Sequence, residues 1–424
     1  MLPPHTIGYI NSGSIPVNMK SLRALAFTSY AHFTNDGFYL LFPLLITYYS
    51  KLPHVNISFL GFIAVIYAVL SGLLSPKIGA IADRHDNDAA MIGIGLSVYA
   101  LAIVVLLLPF IFAGYFYMLV ILGAVILGVA QSFYHPIGAT ILSYSFGRKA
   151  PTEMGINGSA GSLGRSVVSG LFVLAVAVFG IATGMFALAT FALVSALVVY
   201  AGLSYFRRGK QNRKKPERRT PRRKREMGKY RSFITLLMAI VFMRAMFLAG
   251  TVTFIPKYLD IVLNSSVLMG AVVSFSFFFA VLGQLAFGYI TSRMGGKFSI
   301  LLTSVFPGIA FMLFLLSGSN VYMLAATYSI FTFFAFTGFP VLLGYVNQVV
   351  PKSISTTAGG DVWGLGQYVG NGAGITVISA LILAISVYSA LWIMLVFLVP
   401  SIALIAFLPE RGKIDIHVHA LRKE

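Results

Sequence analysis

Long apolar stretches alternate with short polar connections along the whole chain. A helix needs about 20 mainly apolar residues to cross the hydrocarbon core of a bilayer, and twelve stretches reach that length. Because lipid offers no hydrogen-bond partners, each stretch must satisfy its own backbone, which favours helices. The predicted spans are residues 22–49, 57–82, 89–110, 114–142, 153–178, 181–205, 232–258, 266–292, 297–317, 320–348, 355–384 and 387–408. The pattern therefore predicts an all-α membrane protein with twelve transmembrane helices.

Two of these boundaries depend on few residues. The fifth and sixth spans form one continuous apolar run, and we divide them at the glycines around Gly180. The eleventh and twelfth spans are divided near Ser386 because their combined length is enough for two crossings.

Basic residues concentrate in the even-numbered connections and in the C-terminal tail. They are Arg84, Arg148, Lys149, Arg293, Lys297, Lys352, Arg411, Lys413, Arg422 and Lys423. Lys51 and Lys257 are the exceptions on the other side. Because positively charged connections stay in the cytoplasm, we predict a multi-pass protein of the cell membrane with both termini cytoplasmic. Residues 1–20 are interpreted as a short cytoplasmic tail rather than a signal peptide.

The most polar segment lies midway along the chain. Residues 207–231 hold fourteen Lys or Arg residues and only two acids. This segment divides the chain into an N-terminal six-helix bundle, residues 1–206, and a C-terminal bundle with a short tail, residues 232–424. We interpret it as a cytoplasmic linker that contacts anionic lipid headgroups. Nucleic-acid binding is disfavoured because the segment lacks interleaved aromatic residues and a folded domain around it.

Composition excludes several kinds of chemistry. Hydrophobic residues make up 58% of the chain and charged residues 10%, whereas soluble proteins carry about 25% charged residues. The absence of cysteine excludes disulfides and thiolate metal sites. The sequence contains no phosphate-binding loop and no His or carboxylate cluster with the spacing of metal ligands. We therefore expect no cofactor, no bound metal and no enzymatic activity.

The two halves of the chain carry related motifs. GAIADRH at 79–85 ends the second span, and GYITSRMGGK at 288–297 ends the eighth. GSAGSLGRS at 158–166 and GGDVWGLGQ at 359–367 lie in the fifth helix of each half. Such a repeat predicts a binding site between the halves, near the middle of the membrane.

These motifs resemble the major facilitator superfamily over essentially the whole chain. Its pattern after the second helix is matched by Gly79, Asp83 and Arg84 and, in the second copy, by Gly288, Arg293, Gly295 and Lys297. Residues 85–88 and Ser292 depart from that pattern. The resemblance implies two pseudo-symmetric six-helix bundles, alternating access to a small-molecule substrate and a monomeric transporter.

A narrower resemblance links the chain to the fosmidomycin-resistance-like branch of that superfamily. AHFTND at 31–36 is similar to a motif of its first helix, and SFYHP at 132–136 is similar to a motif of its fourth. Residues 165–170 lack the proline of that branch's antiporter motif, which argues against a drug-efflux function.

Three charged residues lie near the middle of their predicted spans: Asp36, Arg165 and Arg244. Each costs roughly 2.5–3.5 kcal/mol to insert, so each requires a partner or a function. His32 lies one turn from Asp36 on the same helix face, and a carboxylate beside an imidazole is suited to carrying a proton. Alternatively, Asp36 and Arg165 form a structural pair while Arg244 faces a carbonyl at a helix end.

Other residues are assigned by position. Asn35, and Tyr39 one turn beyond it, are candidates for the wall of the substrate cavity. The resemblance brings the loop after the second span close to the start of the eleventh. The predicted gating contacts are therefore Asp83 and Arg84 with Asp361, and Glu153 with Arg293.

The sequence thus predicts a secondary active transporter for a small organic solute. Two arginines and one aspartate at similar depth favour an anionic substrate, and the His32–Asp36 pair favours proton coupling. An efflux antiporter for lipophilic compounds, an uncoupled facilitator and a membrane sensor or scaffold remain as alternatives.

Overall fold

A computed structural model describes residues 19–147, 150–207 and 221–410, and within them all regular secondary structure is helical. The helices are α1 Met19–Gly37, α2 Leu41–Tyr49, α3 Ile57–His85, α4 Asp88–Leu107, α5 Phe116–Gln131, α6 Tyr134–Phe146, α7 Ala150–Leu203, α8 Pro221–Lys229, α9 Arg231–Leu263, α10 Ser266–Met294, α11 Gly296–Leu316, α12 Val321–Ala335, α13 Gly344–Val349, α14 Lys352–Asp361, α15 Val369–Ala384, α16 Val387–Met394 and α17 Leu398–Ile405. Short 3₁₀ turns occupy Leu108–Phe110, Ala113–Tyr115 and Leu395–Phe397, and π-helical segments occupy Phe339–Leu343 and Val362–Tyr368.

These elements correspond to the twelve predicted spans. Among the described residues, ten helical segments are long and apolar enough to cross a membrane. One of them, Thr152–Leu203, contains both the fifth and the sixth span, and Gly180 interrupts its helical geometry with φ 82° and ψ 166°. The first span is absent from the ten because it is divided into α1 and α2. The predicted all-α architecture is thus confirmed, and so is the division at Gly180.

Prolines explain where three spans break. Pro43, Pro136 and Pro340 have no N–H to bond the carbonyl four residues earlier, so regular helix stops close to each of them. α1 ends at Gly37, α5 gives way to α6 after Gln131, and α12 ends at Ala335. The three breaks divide spans that the hydrophobic pattern predicts as single helices.

Four helices are capped by side chains on the face opposite the chain ends. Asn56, Ser265, Asn320 and Ser386 each accept hydrogen bonds from backbone N–H groups in the first turn of the next helix. Such caps satisfy the donors that a helix start leaves without partners. The cap at Ser386 confirms the division between the last two spans. We call this side of the molecule the cap face, and the side of the chain ends the terminal face.

Glycines let the helices within each half approach closely. A Cβ on Gly164 in α7 would lie 2.0 Å from the carbonyl oxygen of Phe33 in α1. A Cβ on Gly374 in α15 would lie 2.1 Å from the carbonyl oxygen of Met246 in α9. The first and fifth spans of each half therefore meet at backbone distance, as small residues permit in membranes.

The halves meet through α7 with α10 and through α3 with α15. The hydroxyls of Ser166 and Ser274 donate reciprocally to each other's main-chain carbonyls at 2.7 and 2.8 Å. A Cβ on Gly61 in α3 would lie 2.1 Å from the Ser379 hydroxyl in α15. Residues 208–220, which hold most of the predicted linker, lie outside the described residues, as do 1–18, 148–149 and 411–424.

Candidate functional site

Asp36 is the centre of a buried polar cluster, at the break between α1 and α2. Its side chain is 3% exposed. Arg165, from α7, forms an ion pair with Oδ2, and the Asn35 amide donates to Oδ1 at 2.9 Å. Tyr99 donates to the Asn35 side-chain oxygen at 3.1 Å. The sequence-predicted residues Asp36, Arg165 and Asn35 thus form one connected network.

Two histidines contact the same carboxylate, one on each oxygen. His32 Nε2 lies 3.3 Å from Oδ2, and His135 Nε2 lies 3.6 Å from Oδ1. The imidazoles are 5.3 Å apart and perpendicular. The His32 side chain is 12% exposed, whereas that of His135 is 46% exposed. Asp36 therefore lies between a partly buried imidazole and an exposed one.

Sequence reasoning identified His32 but not His135. In the sequence, His135 stands only as part of the SFYHP motif, before Pro136, a residue type that kinks or ends helices. The helix break there, which frees residues 132–133 from regular helix, brings His135 to Asp36. The SFYHP motif was the available signal, because a histidine next to a helix-breaking proline is placed where the backbone turns.

Arg165 joins the two halves of the molecule. Its guanidinium carbon lies 5.0 Å from the centre of the Tyr39 ring and 5.4 Å from that of Phe336, which belongs to the C-terminal half. The two rings are nearly perpendicular at 6.2 Å. Within the described structure, the buried Nε of Arg165 has no hydrogen-bond partner. Tyr39 thus lines the site, as its position in the sequence suggested.

Arg244 does not join this ion pair. It is 3% exposed, and its Nη2 donates to the carbonyl oxygen of Ala335 at 2.9 Å. That carbonyl lies at the C-terminal end of α12, where the helix dipole favours a cation. Gln284 donates to the next carbonyl, Phe336, at 2.7 Å, and so replaces the N–H that Pro340 lacks. The alternative proposed for Arg244 from the sequence, a helix-end carbonyl, is the contact found.

Two of the predicted gating pairs are not formed within the part of the chain that the structure describes. Among the described residues, Glu153 and Arg293 make no ion pair, and neither do Arg84 and Asp361. Arg293 instead stacks on Tyr289 of its own helix at 5.3 Å. The gating assignment of these residues and of Asp83 stays a prediction.

An ion pair joins the halves at the cap face instead. Lys51 Nζ lies 3.2 Å from Asp260 Oδ1 and 2.6 Å from the Ser266 hydroxyl, which donates to the same carboxylate oxygen at 2.8 Å. Lys257 lies 4.0 Å from the other carboxylate oxygen. Lys51 and Lys257, the two exceptions to the predicted distribution of basic residues among the connections, therefore both contact Asp260.

A metal ion is a poor match for the Asp36 cluster, although three potential ligands converge there. Ligand atoms of His32, Asp36 and His135 lie within 4.8 Å of one another. Spacing in the sequence did not reveal this cluster, because His135 lies on α6 whereas His32 and Asp36 lie on α1. Arg165 already pairs with the carboxylate and would repel a cation. The cluster is better suited to holding a proton, which needs no cage of ligands.

The sequence of the chain was compared with known proteins and families. The sequence model of the Major Facilitator Superfamily matches residues 28–362. The chain belongs to the Major Facilitator Superfamily. It is accordingly a multi-pass membrane transporter for small molecules and not an enzyme. The narrower, fosmidomycin-resistance-like resemblance stays a prediction. None of the curated proteins compared with the chain matches it.

Solved structures share the fold of this chain. One is described as a bacterial homologue of the human lysosomal transporter Spinster in an inward-facing, unoccupied conformation. It superposes with a TM-score of 0.70 over 93% of this chain and 98% of that chain, at 13% sequence identity. At that identity the likeness shows the fold alone.

Proposed function

We propose that this protein is a proton-coupled transporter of a small organic solute that carries a carboxylate, phosphate or phosphonate. The observation that supports the proposal is the Asp36–Arg165 ion pair, whose carboxylate contacts an imidazole at each oxygen. The substrate site lies between the halves, against Arg165, Tyr39 and Phe336.

Coupling follows from competition for Arg165. While Asp36 is ionised, its carboxylate pairs with the Arg165 guanidinium and balances the positive charge of that group. Protonation of Asp36 removes that compensation, so a substrate anion can replace the carboxylate as the partner of Arg165. Inward movement of the proton thereby becomes linked to movement of the anion. His135, at the exposed side of the cluster, is the entry point for the proton, and His32 is its buried neighbour.

Hydrogen-bond donors without partners on two arginines support an anionic substrate. A guanidinium binds carboxylate or phosphate through two parallel N–H groups. In the described structure the Nε atoms of both Arg165 and Arg244 are buried without an acceptor. A buried donor without a partner costs about 1–3 kcal/mol, which a bound anion would recover. Arg244 becomes the second anchor when it leaves the Ala335 carbonyl.

The remaining organisation follows from the charge pattern. Two bundles, residues 1–206 and 232–424, move about the central site in alternating access, with the 207–231 linker at anionic headgroups of the cytoplasmic leaflet. The protein works as a monomer of the cell membrane, and the terminal face is cytoplasmic. Lys51 and Asp260 hold the outer side closed here, whereas the predicted inner gate forms in the opposite state.

Transport into liposomes tests the proposal. Purified protein is reconstituted with and without a pH gradient, and uptake is compared across carboxylates, phosphates, phosphonates and lipophilic cations. We expect a pH gradient to drive accumulation of an anion. Gradient-independent equilibration would favour the uncoupled facilitator, and preference for lipophilic cations would favour the efflux antiporter.

A variant of Arg165 tests its role as the anchor. Arg165→Lys keeps the charge but loses the paired N–H groups, so anion uptake should fall at least about tenfold while folding is retained. Arg23→Lys is the matched control, because Arg23 joins the first span to the sixth through the carbonyls of Gly202 and Ala201, away from the Asp36 cluster. Normal uptake by Arg165→Lys would contradict the anionic-substrate proposal.

A further inference from the structure

The Asn157 side chain, on α7, bridges two groups beside the ion pair. Its Oδ1 position lies 2.8 Å from His32 Nδ1 and 2.9 Å from the Tyr134 hydroxyl. The Tyr134 hydroxyl also lies 2.9 Å from the main-chain carbonyl oxygen of Thr28. The other end of the amide lies 3.4 Å from the Ser29 hydroxyl. Asn157 is 5% exposed, so no bulk water competes for these contacts.

Tyr134 limits the arrangements that this network can adopt. A phenol has one proton to donate, whereas its oxygen can also accept. The Thr28 carbonyl can only accept, but the Asn157 amide can present either its oxygen or its NH₂ group. The Tyr134 proton therefore goes to Asn157 or to Thr28, and that choice is coupled to the orientation of the amide.

With the amide oxygen towards the site, as in this structure, Asn157 accepts from both neighbours. His32 must then carry a proton on Nδ1. Its Nε2 lies 3.3 Å from Asp36 Oδ2, and two lone pairs would face each other there unless a proton lies between them. This orientation therefore holds one additional proton, shared by His32 and Asp36.

With the amide rotated by half a turn, every hydrogen bond is satisfied without the additional proton. The NH₂ group donates to His32 Nδ1 and to the Tyr134 oxygen, and Tyr134 donates to Thr28. Neutral His32 then carries its only proton on Nε2 and donates it to ionised Asp36. The Ser29 hydroxyl donates to the amide oxygen, so the same six groups serve both arrangements.

We infer that Asn157 and Tyr134 are positioning residues that read the protonation state of the His32–Asp36 pair. When His32 takes up a proton at Nδ1, the Asn157 amide rotates by half a turn. The Tyr134 hydroxyl then donates its hydrogen bond to the Asn157 oxygen instead of the Thr28 carbonyl. This inference rests on the proposed coupling role of the cluster. Among the described residues, the other charged or titratable groups near the pair are His135 from α6, Arg165 from α7 and the phenols of Tyr39, Tyr99 and Tyr368.

Solid-state NMR of ¹⁵N-histidine-labelled protein in liposomes tests the switch directly. The chain has seven histidines, so the His32 signal is assigned by its loss in His32→Gln. We expect Nδ1 of His32 to be unprotonated at high pH and protonated at low pH. Asn157→Asp can only accept, so it should move the midpoint up by about one pH unit or more. Ser29→Ala, at the far end of the amide, should leave the midpoint unchanged.

Asn157→Leu provides a second, independent readout. It leaves Nδ1 of His32 without a partner, so the acceptor that favours the protonated ring is lost and the midpoint should fall, while Asp36 still keeps the neutral ring in its Nε2–H form. Protonated Nδ1 at every pH in the wild-type protein, or an Asn157→Asp midpoint equal to wild type, would overturn the inference. A working switch in a protein whose transport ignores pH would refute the proposed coupling and leave the switch intact.

Discussion

The fourth spans of the two halves break in the same way but serve different chemistry. In the N-terminal half, the break before Pro136 places His135 against Asp36. In the C-terminal half, the break before Pro340 exposes the carbonyls of Ala335 and Phe336, which Arg244 and Gln284 satisfy. One half uses its broken helix to bring a titratable side chain to a charge. The other uses it to give a buried cation a neutral partner.

The fifth spans of the two halves also differ in the chemistry of their polar side chains. Arg165 lies fifteen residues after the start of α7 at Ala150, and Gln367 lies fifteen residues after the start of α14 at Lys352. Arg165 binds the Asp36 carboxylate, whereas Gln367 donates to Asn371 on its own helix at 3.1 Å. The two halves thus share the helical backbone and the depth of the polar residue in the fifth span. Ionisable side chains that contact one another, however, concentrate in the N-terminal half. Proton chemistry is therefore expected in one half only.

The largest expected effect comes from breaking the N-terminal ion pair. Asp36→Asn leaves Arg165, whose side chain is only 15% exposed, without its countercharge, which should lower the free energy of unfolding by up to about 3–5 kcal/mol. Adding Arg165→Gln should recover most of that loss, because it removes the uncompensated charge. Thermal unfolding in detergent measures both. A double variant no more stable than Asp36→Asn would show that the pair is not the source of the destabilisation.

A smaller effect is expected from Arg244 in the C-terminal half. Arg244→Met removes the donor to Ala335 and should cost about 1–3 kcal/mol, the penalty for a buried carbonyl without a partner. Because this arginine contacts no carboxylate, the pH dependence of transport should keep its midpoint. Unfolding and liposome uptake at several pH values are the measurements. A shifted midpoint would mean that the two halves share their proton chemistry.

Breaking the Lys51–Asp260 ion pair at the cap face should have a smaller effect than the Arg244 substitution. Lys51 is 48% exposed, and exposed pairs are worth about 0–1 kcal/mol, so Lys51→Gln should change the equilibrium between states by at most about fivefold. The chain has no cysteine, so a single Val173→Cys, buried here where α7 meets α10, reports opening of the cap face. Labelling by a membrane-impermeant thiol reagent should accelerate in Lys51→Gln. Lys257→Gln, which removes only the 4.0 Å contact, should label more slowly than Lys51→Gln.

The smallest effect on stability is expected at the predicted inner gate. Because Glu153 and Arg293 are not paired here, Arg293→Glu should change stability by no more than about 0.5 kcal/mol. It should nevertheless slow transport, since the pair forms in the other state, and Glu153→Arg should partly restore the rate. A double variant as slow as the single one would refute the pairing.

Much of the architecture was predictable because lipid imposes simple rules. Span length, Gly180 and Ser386 define the helices without any tertiary information. The Asp36–Arg165 contact was also foreseeable, since opposite charges at equal depth in the membrane have few other partners. The breaks near Pro43 and Pro340 were not predicted, although a proline inside an apolar run is a direct signal of a helix break.

The missed residues depend on contacts between helices. His135 and Asn157 come from the fourth and fifth spans, and nothing in their local sequence shows that they converge on His32. Tyr134 and the Thr28 carbonyl matter only once those helices are packed. The partner of Arg244 is a main-chain oxygen that becomes available when α12 ends. A sequence pattern records side chains, so it cannot show which carbonyls a break exposes.

Gly180 has a consequence for how the protein enters the membrane. Its backbone angles lie in a region that is essentially restricted to glycine, and a Cβ there would meet no other atom within 4 Å. The turn between the fifth and sixth spans therefore depends on backbone freedom and not on packing. With almost no polar residues at this turn, neither span has a loop that must be pulled across the bilayer by itself. During synthesis the pair should leave the insertion machinery together, as a helical hairpin that folds at one residue.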